Sequence, residues 1–76
     1  MQYHRQHDWQ PVQGETVQIR NKGRVVREGM VDAVTLDDSI LWLAAEGNTP
    51  RQMACKNDGD EVWIIYRWET TETSNT

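Results

Sequence analysis

No stretch of this chain carries a helical apolar stripe of useful length. Short runs of alternating apolar and polar residues recur instead, broken by Gly- and Asp-marked turns at roughly ten-residue spacing. Residues 14–20, GETVQIR, put Val17 and Ile19 on one face and Thr16, Gln18 and Arg20 on the other. The tight-turn signal NKG follows at 21–23, where Asn and Gly tolerate positive φ. Residues 24–36 are long for one strand and break alternation at Glu28–Gly29, which predicts a bulge or sharp bend there. The turn DDS leads into 39–45, EGNTP reads as loop, 51–56 as a weaker strand, and NDGD as another turn. The strongest strand signal is EVWIIYRW at 61–68, rich in β-branched and aromatic residues. Residues 1–13 show no periodicity and read as an N-terminal arm. Residues 69–76 are polar and low in complexity and read as a disordered tail.

Five short strands of this kind predict an all-β fold, a small five-stranded barrel over 14–68 with flexible termini. Closing the sheet removes the edges that so short a chain has no helices to cover. At 76 residues the core is small. Cys55 is the only cysteine, so neither an internal disulfide nor a cysteine-rich zinc site reinforces it. The polar start, the lone thiol and the absence of a ~20-residue apolar run lead us to expect a soluble cytoplasmic protein without membrane contact.

The segment GETVQIRNKGRVVREGMV resembles the opening of an SH3-like barrel of the KOW or Tudor type. The matching residues are Gly14, Val17, Ile19, Gly23, Gly29 and Val31. That resemblance implies binding to nucleic acid, to ribosomal or transcription components, or to peptides. The chain is also similar in general character to small proteins of bacterial, phage or mobile-element genomes.

Charge separates these roles. The formal net charge is −4, which opposes nonspecific attraction to phosphate backbones. One basic cluster, Arg20, Lys22, Arg24 and Arg27, surrounds the first hairpin and keeps a nucleic-acid-binding (KOW-like) module as the alternative reading.

A repeated device supports the leading one. DDSILWL at 37–43 and DGDEVWI at 58–64 each place a Trp five residues after the first Asp. Turn chemistry accounts for the acids. Period-2 alternation puts Leu41 and Leu43, and Val62, Ile64, Tyr66 and Trp68, on the core side. It turns Trp42, Trp63 and Ile65 outward. The outward rings are either covered by the arm, through Trp9 and Pro11, or form a protein-partner or self-association surface. An aromatic cage for a cation is a third use of such rings.

Catalysis has little support in the residues. His4 and His7 lie in the irregular arm, Cys55 sits beside Met53 and Ala54 as a packed thiol would, and the glycines form no phosphate-cradling loop. Asp37 with Asp38, and Asp58 with Asp60, lack the spacing of a calcium loop. The expectation is a non-enzymatic protein-interaction module without cofactor or metal, with Trp42, Trp63 and Ile65 as its partner-binding residues.

Overall fold

The computed structural model describes residues 2–65. Tyr66, Trp68 and the tail expected after residue 69 lie outside the described residues. The described residues are all-β, with six strands: β1 (His4–Gln6), β2 (Thr16–Asn21), β3 (Arg24–Val34), β4 (Ile40–Leu43), β5 (Gln52–Cys55) and β6 (Asp60–Ile64). They form one antiparallel sheet in the order β1-β6-β2-β3-β4-β5. Single turns of 3-10 helix at Gln10–Val12 and Lys56–Asp58 complete it.

The sheet is not closed as a barrel, which corrects the sequence expectation. The reason is in the pairing of β6. It bonds β2 along one edge and β1 along the other, so the sheet ends in β1 and β5, which do not pair with each other among the described residues. The extra strand comes from the segment read as an arm: His4, Arg5 and Gln6 lie opposite Ile64, Trp63 and Val62.

The predicted alternation survives in the pairing. Val17, Ile19, Val31, Leu41, Leu43, Ala54 and Val62 are buried together, with Val34 and Ile64 packed against them. The same core contains Trp9 and Val12. Trp9 is 1% exposed and is the largest fully buried side chain among the described residues. It fills the interior and covers neither outward Trp.

The long strand β3 bends by two bulges, and neither is at Gly29. Gly29 lies in register opposite Val17. One register shift leaves Val26 unpaired against β2, and the other leaves Asp32 unpaired against β4. Extra residues of this kind kink a strand and increase its twist. Arg27 lies on the Gly29 side of the first shift and keeps the parity of Gly29 and Val31. It lies opposite Ile19 on the concave face, and its guanidinium donates to the carbonyls of Pro50 (2.8 Å) and Ala44 (2.6 Å). The β2–β3 turn uses Lys22 and Gly23 at positive φ, 53° and 79°, as two-residue hairpin turns require. Asn21 belongs to the strand, and its amide instead donates to the Asp58 carbonyl and to Asp60 Oδ1.

The N-terminal segment is tied down by the turn between β3 and β4. Asp37 serves that turn locally, its Oδ1 accepting from the Thr35 hydroxyl and from the backbone and hydroxyl of Ser39. Asp38, at φ 65°, turns its carboxylate the other way. It accepts from the backbone N–H of Trp9 (2.8 and 3.0 Å) and of Gln10 (2.7 Å), and from the Lys56 ammonium. Lys56 Nζ also lies 5.1 Å from the centroid of the Trp9 ring. Partial burial alone would raise the Asp38 pKa, but the Lys56 ammonium and the two backbone donors outweigh it and hold the carboxyl below its usual range.

These contacts make the segment before Gly14 structural. Trp9→Ala removes a buried indole and is expected to cost about 3–5 kcal/mol, enough to unfold much of a domain this small. Trp42→Ala removes a half-exposed ring and is expected to cost about 1–2 kcal/mol. Equilibrium urea unfolding of both variants checks the contrast. Equal costs would contradict it.

Candidate interaction face

The convex side of β1, β6, β2 and β3 carries a connected set of polar and aromatic side chains. It begins with Gln18, which the sheet register places between Trp63 and Glu28. Although it lies on the outward face, Gln18 is only 6% exposed. Its amide donates to Glu28 Oε2 (3.0 Å), and its carbonyl oxygen accepts from Arg20 Nε (2.5 Å). A polar group at this depth is tolerable because both its ends are bonded.

Gln18 thereby fixes Arg20. The guanidinium carbon lies 4.2 Å from the centroid of the Trp63 ring and 5.6 Å from that of Tyr3, within the range of cation–π attraction. Trp63 is held from its other end, where Nε1 donates to Glu61 Oε1 (3.0 Å). Arg5 Nη1 lies 3.6 Å from Glu61 Oε2. Tyr3 is raised above the ordinary phenol value by desolvation, then by the charge of Glu28 and a hydrogen bond to it, with Arg20 opposing. Trp63 is half-buried, and Ile65, two residues on, is half-buried as well.

Trp42 is also outward and half-buried, but it belongs to the other half of the sheet. Strands β2 and β3 lie between β4, which carries it, and β6. Its cover is Arg51, whose guanidinium carbon is 4.6 Å from the ring centroid. Arg51 is oriented by Asp32, with Nε 3.0 Å from Oδ2 and Nη2 2.9 Å from Oδ1. The Arg51 hydrogen bonds hold the Asp32 carboxyl low, and the same bonds raise Arg51. Asp32 is the unpaired residue of the second bulge, which is how it reaches Arg51. Met53, exposed, lies opposite Trp42 on β5.

The four basic residues of the first hairpin do not converge. Arg20 is committed to Trp63 and Tyr3, and Arg27 to the loop carbonyls on the opposite face. Lys22 and Arg24 are exposed near the hairpin tip. Among the described residues no group of three or more His, Cys, Asp or Glu side chains is placed to hold a metal ion. His4 lies in β1 and His7 just after it. A groove of about 330 Å³ is lined by Arg5, His7, Trp9, Lys56, Asp60 and Glu61. Arg5 and Lys56 face Glu61 and Asp38 there, and Asp60 is taken by Asn21 and the Cys55 N–H.

Comparison with protein-family models, with curated proteins and with solved structures found no match, and no family is assigned.

The raised Tyr3 gives a direct probe of this face. Its phenol is expected to ionise above the ordinary value of about 10, seen as the difference between ultraviolet titrations of wild type and Tyr3→Phe. Because the unfolded chain ionises first, the contribution of Tyr3 to stability is complete below that value and lost as pH rises through the folded one. Glu28→Gln is expected to move the titration back toward the ordinary value. An unchanged titration in Glu28→Gln would contradict the contact.

Proposed function

We propose that this chain is a small non-enzymatic protein-interaction module of SH3-like architecture. It binds its partner through the convex face of β1, β6 and β2, around Trp63, Ile65, Arg20 and Tyr3. The observation that carries this reading is the Arg20 guanidinium set against both Trp63 and Tyr3 and fixed by Gln18. Trp, Tyr and Arg are the residue types that dominate binding energy at protein interfaces. Here their geometry is set before any partner arrives, which lowers the entropy lost on binding. Trp42 with Met53 forms a second outward patch on the other half of the sheet.

The SH3-like part rests on the hairpin of β2 and β3 at the centre of the sheet and on the return of β6 to pair with β2. A soluble cytoplasmic setting, a phage or mobile-element origin and a lack of cofactor remain parts of the proposal. A KOW-like role fits less well. Of its four basic side chains Arg20 is engaged by Trp63 and Tyr3 and Arg27 by the loop carbonyls, and the whole chain is acidic.

The test is capture of host proteins by wild type, Trp63→Ala and Trp42→Ala, each first shown to be folded by its thermal melt. Trp63→Ala is expected to lose at least about tenfold in affinity for the captured partner, as removal of an interface anchor does. Trp42→Ala is expected to keep most of it. Undiminished capture by Trp63→Ala would overturn the assignment. So would salt-sensitive RNA or DNA binding abolished by charge reversal at Lys22 and Arg24, which would favour the nucleic-acid module.

A further inference from the structure

Trp42 and Trp63 are each covered by an arginine, and the two arginines differ in what holds them. Over Trp42, the Arg51 guanidinium carbon lies 4.6 Å from the ring centroid, and its Nε and Nη2 meet the carboxylate of Asp32 at 3.0 and 2.9 Å. That unit is closed, because ring, guanidinium and carboxylate all come from this chain. Over Trp63, the Arg20 guanidinium carbon lies 4.2 Å from the ring centroid. Its Nε meets the neutral side-chain oxygen of Gln18, and it forms no ion pair among the described residues.

The two acids of this face are engaged elsewhere. Glu28 accepts from the Gln18 amide and bonds Tyr3, and Glu61 accepts from Trp63 Nε1 and faces Arg5. Among the described residues Arg20 donates through Nε alone, which leaves the Nη1 and Nη2 end of a half-buried guanidinium without acceptors. Gln18 and the Trp63 ring fix the plane of that end. Parallel N–H donors held in one plane match a carboxylate, which accepts from both. Gln18 is neutral, so no contacting carboxylate offsets the charge of Arg20, and an anion placed there gains the full short-range attraction.

We propose that the partner bound on the Trp63 face supplies to Arg20 the carboxylate that Asp32 supplies to Arg51. It is an Asp or Glu side chain of a peptide segment, gripped end-on by Nη1 and Nη2. An apolar side chain beside that acid packs on Trp63 and on Ile65, both half-buried and outward. The inference rests on the proposed function and adds what the partner must carry. The chain is acidic as a whole, so long-range attraction contributes little and the acid is recognised by contact. Lysine could replace Arg20 in charge but not in this geometry, since an ammonium has no planar fork.

The test is selection of a displayed library of random short peptides on the full chain, each peptide fused at its C-terminus so that no terminal carboxylate is free. The selected peptides are expected to share an Asp or Glu beside an apolar residue. Made as amidated synthetic peptides, they should lose about tenfold or more in affinity when that acid becomes Asn or Gln. Arg20→Lys, shown to be folded by its thermal melt, should lose as much, and Arg51→Lys should bind like wild type. Peptides that need Trp63 but share no acid, or that bind Arg20→Lys undiminished, would overturn this inference and leave the proposed function standing. Binding that survives Trp63→Ala would remove both. A several-fold gain in affinity on replacing Glu69 and Glu72 by Gln would assign the carboxylate to this chain's own C-terminal residues and overturn the proposal, as would a library that yields no binder.

Discussion

The carboxylate of Asp38 joins two parts of the chain that local sequence would leave separate. It accepts the backbone N–H groups of Trp9 and Gln10 from a turn almost thirty residues away, with the Lys56 ammonium beside it. The consequence is the burial of Trp9. Among the described residues the nine buried apolar side chains of the core include one Trp, and the remaining eight are aliphatic. Without the indole, the concave side of the sheet would be lined by Val, Leu, Ile and Ala over a void of indole size. Such a void costs both transfer free energy and lost dispersion contacts. In a domain whose total stability is about 5–15 kcal/mol, that one side chain decides whether the sheet holds its curvature.

Docking of the N-terminal segment also sets the topology. With β1 on one edge of β6 and β2 on the other, the sheet ends at β5 and stays open. The repeated acidic turns then have different uses. In the first, Asp37 caps its own turn and Asp38 reaches the N-terminal segment. In the second, Asp60 bridges Asn21 and the Cys55 N–H, linking the end of β2 to the end of β5. The Trp that follows each turn points outward, and each ring is covered by an arginine from a different strand or loop.

Much of the strand layout was legible because period-2 alternation is a local signal. Val17 and Ile19, Leu41 and Leu43, and Val62 are buried as their parity requires, and Trp42 and Trp63 face outward. Interactions distant in sequence were not legible. Residues 1–13 have no periodicity, so neither β1 nor the burial of Trp9 could be read there. Their partners, β6 and Asp38, are remote in the chain. Parity also fails across a bulge: alternation gives Val25 the concave face of Arg27, but the unpaired Val26 sets it opposite Arg20 on the outward face. For the candidate face, Glu61 with Trp63 and Gln18 with Arg20 could be placed on shared faces. Their meeting depends on β2 pairing with β6, and only the folded sheet supplies that. The contribution of Tyr3 had no sequence signal at all.

Native-state amide hydrogen exchange at Trp9 tests most directly whether the N-terminal segment is part of the cooperative core. Its N–H is held by Asp38, and its ring lies among the residues that β2 and β4 bury. If the segment unfolds only with the sheet, Trp9 will exchange with the same opening free energy and denaturant dependence as the amides of Ile19 and Leu43. A Trp9 amide that opens locally, with little denaturant dependence while Ile19 and Leu43 stay protected, would show a detachable arm and contradict this account.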